Sequence, residues 1–425
     1  LLAKYKLVLS LLAGNTMPEF VISLNALKRN AQILRDVADA SGCQIVMALK
    51  GFSTWSTFPT LQPYLDGCCA SGLWEAQLAR QYFNKEILTY APAYSDSDFQ
   101  QLLEISNHLD FNSVTQWCHF REALINHPRF QAGELKSGLR INPQFSTGHT
   151  AIYDPCAPGS RLGIPLQQLE ELERLHPDAL NGISGFHMHT LCEQGAEDLV
   201  ATVRAMEEQF GKYLSRPEFT WINLGGGHWI TKPDYNRRLL VETIQLLRDT
   251  YNVDVWLEPG EAVAIHTGVL RAHVLDTFAV DGVTHAILDV SASAHMPDVL
   301  EMPYRPDVFL AVKEQGLDSG CTELSPALRY VGESYQKAGE AQEQAYTYRL
   351  GAATCLAGDI IGDFSFARPL QVGDTLVFDD MAHYTMVKTS FFNGVQHPDI
   401  VLMDEAGTTK TVRTFSYEDF RSRLG

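Results

Sequence analysis

The residues best equipped for chemistry stand where apolar runs stop. Gln44-Ile-Val-Met-Ala-Leu-Lys-Gly-Phe52 is β-prone and unbroken by polar residues from Ile45 to Leu49, and it delivers one amine, Lys50, at its end. Desolvation disfavours an ammonium, so a lysine emerging from a dry strand becomes a usable nucleophile or Schiff-base partner. His187 and His189 end a run beginning at Gly182, a Gly225-Gly226-Gly227 turn follows Trp221–Leu224, and Glu258 follows Val253–Leu257. Ser71 and Asn142 close two more runs. Singly, each has a plainer reading. Strand-end lysines snorkel into water, glycine triplets form loops, and Glu-Pro-Gly is a common turn.

The elements that would position these groups alternate regularly. Strand centres at Ile45, Gly67, Ile87, Leu109, Leu139, Ile183, Trp221 and Val253 are separated by helical spacing, as in Leu27, Ala31, Leu34, Val37 and Ala38. Helix-like stretches are expected at Thr57–Leu65, Leu73–Phe83, Ala196–Leu214 and Arg237–Thr250 among others. Eight such alternations suit a parallel (β/α)8 TIM-type barrel, which typically takes about 250 residues, although a doubly wound open sheet shares the pattern. In a barrel the strand ends meet on one rim. A lysine, a flat imidazole, a glycine turn and a carboxylate gathered there suit pyridoxal 5'-phosphate. The amine forms a Schiff base, the imidazole stacks on the ring, the turn holds the phosphate and the acid keeps the ring nitrogen protonated.

After residue 265 the texture becomes all-β. Short runs at Val269–Val280, Thr284–Val290, Val308–Val312, Tyr346–Leu350, Thr375–Phe378 and Thr411–Thr414 are divided by turns such as Asp281-Gly282 and Gly373-Asp374. The expected organisation is a barrel over 24–264 and a β domain, sandwich or barrel, over 265–425. A strand from 1–23 would join the second domain.

Composition narrows the partners. The 425 residues carry a net charge of −18, which disfavours nucleic acid and anionic membrane and favours a cationic small molecule. Eight cysteines without a Cys-x-x-Cys pair suit thiols in a reducing cytoplasm and no metal site. The Leu7–Ala13 run is too short to span a bilayer.

These motifs carry a family resemblance extending from about Phe20 to Leu402. The chain resembles the fold-type III pyridoxal-phosphate decarboxylases, the group of alanine racemase and the ornithine and diaminopimelate decarboxylases. Ala48-Leu-Lys50, Phe186-His187, Leu224-Gly-Gly-Gly227 and Leu257-Glu-Pro-Gly260 carry it, with Thr354-Cys355, Gly358-Asp359 and Ala382-His-Tyr384. The resemblance implies that Lys50 and Cys355 are catalytic. Lys50, His187, Thr190, Gly225, Gly226, Gly227, Glu258 and Tyr384 would bind the cofactor. It also implies a homodimer with shared active sites, in which Cys355 reaches the neighbouring subunit. Glu261 stands where the amino-acid decarboxylases have arginine, and Leu356 where they have an acid. Both departures, with Asp298-Val-Leu-Glu-Met-Pro-Tyr-Arg305, are similar to the carboxynorspermidine decarboxylase branch. That branch implies decarboxylation of carboxynorspermidine and carboxyspermidine in polyamine biosynthesis. Glu193, Glu261, Glu301 and Asp359 are then the acids expected to receive substrate ammonium groups. The alternative is a diaminopimelate or other basic amino-acid decarboxylase of the same fold.

Overall fold

A computed structural model describes residues 17–148, 150–312, 325–329 and 334–425. The apolar run at residues 7–13 lies outside the described residues. The chain divides into two compact units, one spanning Leu27–Val263 and the other combining Ala264–Gly425 with the segment up to Ala26.

The first described strand, β1 (Glu19–Ser23), pairs antiparallel with β10 (Gly268–Val280) and parallel with β18 (Asp399–Met403). Between them in sequence, β2 (Gln44–Ala48), β3 (Gly67–Ala70), β4 (Glu86–Tyr90), β5 (His108–Phe111), β6 (Lys136–Arg140), β7 (Gly185–His187), β8 (Trp221–Asn223) and β9 (Asp254–Leu257) form a closed parallel barrel. It closes where Gln44 and Ile45 of β2 pair with Trp256 and Leu257 of β9. The (β/α)8 barrel expected from the alternation is present. Its helices bury the stripes their spacing implies, with Leu27, Ala31, Leu34, Val37 and Ala38 all packed inside the unit. Ser95, Ser113 and Asn236 cap helices at Asp96–Ile105, Val114–Ile125 and Arg237–Tyr251 by accepting a backbone N–H each.

Three local expectations shift. The helix expected over Thr57–Leu65 shrinks to Phe58–Leu61 after a 3-10 turn at Trp55–Thr57, because Pro63 supplies no N–H to continue the helical ladder. β6 starts three residues before Leu139, and β7 is confined to Gly185–His187 because Gly182 adopts φ +107 in the preceding turn.

The barrel interior is layered. At its floor, Val46, Cys69, Leu88, Trp221 and Trp256 make one apolar cluster, and the His108 ring lies 5.0 Å from each indole. A Cβ on Gly138 or Gly185 would stand 2.3 and 2.2 Å from the Trp221 ring, so β6 and β7 supply glycines where β8 supplies a tryptophan. Side chains alternate along a strand, so the residue two further on faces the same interior one layer higher. Those residues are Asp110 above His108, Arg140 above Gly138, His187 above Gly185, Asn223 above Trp221 and Glu258 above Trp256. An apolar, filled floor thus carries a polar ceiling.

The second unit is mostly antiparallel. Its described strands follow the order β13 (Ser334–Lys337), β12 (Val308–Val312), β17 (Thr375–Phe378), β10, β11 (Val283–Leu288), β15 (Tyr346–Ala352), β16 (Ile360–Phe366) and β14 (Gly339–Glu340). β1 and β18 extend from β10, with β19 (Thr409–Arg413) beyond. β13, β14, β16 and β18 are absent from the runs expected above. In β16, Gly362, Asp363 and Ser365 interrupt the apolar alternation, although Ile361, Phe364 and Phe366 enter the core.

The glycine–tryptophan fit at the floor makes Gly185→Val an overpacking change with little room to relax. It should destabilise the barrel by about 2 kcal/mol or more, read as a lowered thermal midpoint, whereas an exposed change such as Ala132→Ser, at a right-handed backbone position, should move the midpoint far less.

Candidate active site

Lys50 leaves β2 in a turn clamped from both sides. The Leu49 N–H donates to the Cys69 carbonyl at 3.0 Å, the Gly51 N–H to Ala48 at 3.1 Å, and the Ala48 N–H to Pro259 at 3.0 Å. A Cβ on Gly51 would lie 3.1 Å from Gly260, so the lysine turn and the Glu-Pro-Gly turn lie flush. Lys50 retains solvent access at the barrel mouth, yet protein surrounds its amine closely enough for desolvation to lower its pKa. Arg140 adds to that lowering, while Cys69, Glu258 and Cys192 oppose it. Desolvation dominates, and the amine is biased toward its neutral, nucleophilic form.

Glu258 is buried, and Asn223 holds its carboxylate. Asn223 Nδ2 donates to Oε1 at 2.6 Å, while His187 Nε2 lies 3.5 Å from Oε2 without a hydrogen bond. The other His187 nitrogen, Nδ1, lies 3.1 Å from Asp110 Oδ2. His187 is 2 % exposed, and burial, with Arg140 and Lys50, pushes its pKa down to about 4 against the pull of Glu258. Burial pushes Asp110 up to about 8 against Arg140. Arg140 lies over the Tyr90 ring at 4.6 Å and donates to the His189 carbonyl at 3.1 Å.

The glycine turn is sterically obligatory. Gly225 and Gly227 adopt φ +70 and +81, and a Cβ on Gly226 would come 2.2 Å from the Glu258 carbonyl. Its N–H groups are not all available, which corrects the expectation of an open triplet. Gly225 donates to Asn223 Oδ1 at 2.8 Å and Gly226 to His189 Nδ1 at 3.0 Å. Among the described residues that leaves the Gly227 N–H as the triplet's donor for an anion. Thr190 complements it, since its hydroxyl is buried without a hydrogen-bond partner among the described residues. Buried polar groups ordinarily find partners. An unpartnered hydroxyl, a free glycine N–H, a buried acid without a cation and a desolvated lysine fit the phosphate, ring nitrogen and aldehyde of pyridoxal phosphate.

Near Lys50, Cys192 is pushed up to about 11, first by burial and then by Glu193, Glu261 and Asp154, with Lys50 opposing. Glu193 is exposed with φ +55, and Glu261 accepts the Trp229 indole N–H at 3.0 Å.

Four expected residues belong to the β unit. Cys355 is exposed, 3.9 Å from Asn393 Nδ2. Tyr384 adopts φ +51, a conformation rare outside glycine and frequent at functional sites. Glu301 is exposed, 3.4 Å from a Lys388 ammonium that Asp298 also binds. Asp359 is buried and accepts from Ser291 Oγ at 2.6 Å, Thr354 Oγ1 at 2.5 Å, and Ser293 Oγ and N at 2.9 and 3.1 Å. Three of these donors meet Oδ2 and one meets Oδ1, so Asp359 anchors the Cys355 loop and keeps acceptor capacity on Oδ1 alone.

Asp110, Arg140, Asn223 and Tyr90 escaped the sequence reading. The available signal was a polar residue two positions beyond a core position, as in His108-Leu-Asp110, Gly138-Leu-Arg140 and Trp221-Ile-Asn223. A separate cavity of about 460 Å3 opens at the other end of the barrel, lined by Arg80, Glu86, His108, Lys136 and Trp256 among others. It is remote from these groups, at the barrel end associated with stability rather than catalysis.

A family model described as "Pyridoxal-dependent decarboxylase, C-terminal sheet domain" matches residues 20–382. A carboxyaminopropylagmatine decarboxylase of Synechocystis sp. is 41% identical over 409 residues, covering 96% of this chain and 95% of the relative. A carboxynorspermidine/carboxyspermidine decarboxylase of Campylobacter jejuni is 37% identical, covering 96% and 98%. The crystal structure of carboxynorspermidine decarboxylase complexed with norspermidine, also from Campylobacter jejuni, superposes with a TM-score of 0.80 at 36% identity, covering 96% and 99%. With that match spanning barrel and sheet alike, the chain belongs to the pyridoxal-phosphate-dependent decarboxylases.

Proposed function

We propose that the chain decarboxylates a carboxylated polyamine, converting carboxynorspermidine to norspermidine and carboxyspermidine to spermidine with release of CO2. The observation that carries this reading is the acidic rim at Lys50, where Glu193, Glu261 and Asp154 act together on Cys192. Such a rim suits a substrate bearing several ammonium groups, and glutamate at 261 removes the cation that a distal carboxylate would need. The full-length likeness to the Campylobacter jejuni enzyme supports the same choice.

Bound pyridoxal phosphate supplies an electron sink for the pair left when the bond between Cα and the carboxylate breaks. The rest belongs to the chain. Lys50 Nζ, its pKa lowered by desolvation, would be the amine that holds the cofactor's aldehyde carbon until a substrate amine takes its place. Glu258 would keep a proton on the ring nitrogen, and the Asn223 amide holds Glu258 in place. Thr190 Oγ1, the Gly227 N–H and Tyr384 receive the phosphate. Glu193 and Glu261 take ammonium groups, while Glu301 is a weaker candidate given its Lys388 partner. Cys355 Sγ returns a proton to Cα after CO2 leaves, so the carboxyl group is replaced by hydrogen.

The Cys355 that serves one site comes, in this proposal, from the partner of a homodimer. Exposure of Cys355 supports it, as do exposed Leu356 and Phe392 on the neighbouring chain segments. A reducing cytoplasmic setting accords with the free cysteines among the described residues. No described helix is long and apolar enough to cross a membrane.

A second reading has its own support. The 41% identity to the Synechocystis enzyme favours carboxyaminopropylagmatine, whose distal group is a guanidinium instead of an ammonium. Carboxylates accept both, so the rim alone does not separate them.

Measuring CO2 release from carboxynorspermidine, carboxyspermidine, carboxyaminopropylagmatine and diaminopimelate decides among these readings. The highest kcat/KM is expected for the first two, and a preference for diaminopimelate would end the polyamine proposal. Lys50→Ala should lose the visible absorbance of bound cofactor and about three orders of magnitude or more in rate. Mixing inactive Lys50→Ala and Cys355→Ala proteins should restore up to about one quarter of wild-type activity if sites are shared across a two-fold dimer. No restoration in subunits shown to exchange would exclude a shared site.

A further inference from the structure

Gln194 lies where three loops at the barrel mouth meet, and it is only 5 % exposed. Its Nε2 donates to Thr147 Oγ1 at 2.6 Å, reaching the connection that follows β6. Its Oε1 turns back and accepts the Cys192 N–H at 3.3 Å, within the loop that follows β7. Its backbone is tied to the turn after β8, donating to the Gly227 carbonyl and accepting the Trp229 N–H, both at 3.1 Å. We propose that Gln194 is a positioning residue whose amide locks the backbone of Glu193, and so aims the Glu193 carboxylate at a substrate ammonium group. This role rests on the reading of the site as one that takes a carboxylated polyamine.

Glu193 is the residue these bonds enclose. It adopts φ +55, a conformation rare for a residue with a side chain and kept only where the surroundings impose it. Glu193 is exposed, so burial of its own side chain does not impose it. The Gln194 amide does, because it bridges from the residue after Glu193 to the N–H of the residue before it. Extending the backbone at 193 would open that bridge. The Thr147 bond holds the other end of the amide, so both polar atoms of Gln194 are engaged within the fold.

The loop held in this way is a ligand loop at its other end. Thr190 carries a buried hydroxyl without a partner among the described residues. A Cβ on Gly227 would stand 2.0 Å from the Leu191 carbonyl, so the loop sits flush on the glycine turn. Glu193 is the exposed acid of that loop, and Cys192 beside it lies within electrostatic reach of Lys50. A carboxylate ordered only on binding spends affinity on its own ordering. Gln194 fixes its direction beforehand.

The cofactor side of residue 194 is a different matter. Its contacts to Gly227 and Trp229 are made by the backbone and survive a change of side chain. Methionine has a similar length and volume but makes neither amide bond. Thr147 and Cys192 are partly exposed, so water can replace the partner each would lose. Gln194→Met should therefore keep pyridoxal phosphate affinity within about twofold of wild type while weakening amine ligands.

Titration calorimetry of norspermidine into the holoenzyme reads the effect without turnover, for Glu193→Gln, Gln194→Met and the double variant. Glu193→Gln should weaken binding about fivefold, through loss of one charge-assisted contact, and Gln194→Met about threefold. Since Gln194 acts through the Glu193 carboxylate, Gln194→Met should add less than about 1.5-fold in the Glu193→Gln background. In turnover the same loss should appear in KM for carboxynorspermidine with kcat unchanged. If Gln194→Met does not fold, Thr147→Val removes the outer bond alone and runs the same cycle, with a smaller loss that again vanishes beside Glu193→Gln. Full additivity would mean general support of the loop and overturns the assignment. So does a Gln194→Met protein that binds norspermidine as wild type does, or one that loses cofactor affinity equally. Norspermidine binding that Glu193→Gln leaves unchanged overturns the assignment with the polyamine reading intact, whereas a wild-type holoenzyme that does not bind norspermidine overturns both.

Discussion

The barrel's upper layer depends on one constraint, the burial of a carboxylate with no lysine or arginine ion-paired to it among the described residues. Glu258 is held instead by the Asn223 amide, with the His187 ring 3.5 Å away. Coulomb attraction is strong in a dry site, but an unmatched charge there is expensive. A carboxylate stabilised by a neutral donor remains ready for an incoming ring nitrogen. The same Asn223 accepts the Gly225 N–H, so the acid and the phosphate turn are positioned by one buried side chain. Moving either would move the other.

The layer below makes that arrangement stiff. Trp221 and Trp256 occupy the inward positions immediately before Asn223 and Glu258 on the same strands, and His108 precedes Asp110. Interiors are close-packed, resist compression and transmit strain. A tryptophan seated against Gly138 and Gly185 fixes the height of β8 relative to β6 and β7, and with it the height of the polar groups above. The charged groups that remain, Lys50 and Arg140, press on the histidines from the same space. His187 and His189 are both driven toward their neutral forms by burial and by those two cations. Neutral imidazoles suit contact with a flat ring, whereas an imidazolium at 187 would compete with the ring nitrogen for Glu258.

The acids outside this layer fall into different physical classes. Asp359 is consumed by hydroxyl and backbone donors and shapes the Cys355 loop. Glu301 shares a lysine with Asp298. Glu193 and Glu261 stand with Asp154 around Cys192, within the electrostatic reach of Lys50. Asp154 arrives on the long connection after β6, and Thr147 of that connection accepts from Gln194, directly after Glu193 in the chain. Loops on a rigid barrel are where substrate preference is most freely changed. The distinction between an ammonium and a guanidinium terminus therefore belongs to these loops rather than to the cofactor layer.

Much of this was legible before any coordinates. Eight apolar runs at alternating spacing specified the parallel barrel, because strands buried on both faces must be apolar along their length. Lys50, His187, the glycine triplet and Glu258 could be read because each ends such a run, where polarity changes abruptly. Asp110, Arg140 and Asn223 lie inside or at the last residue of their strands, and a single polar residue there looks like an interruption of the pattern. Only closure of the barrel brings three strands' worth of such interruptions together. Likewise the sequence shows an acid at 359 and a glycine triplet at 225–227 but not what already binds them. Asp359 proved largely occupied by Ser291, Ser293 and Thr354, and two of the three glycine N–H groups proved committed, one of them to His189 on another strand end. Residue type and local spacing determine which groups the chain can offer. Which of them remain free to act, and in which protonation state, is settled by burial and neighbours that exist only in the folded structure.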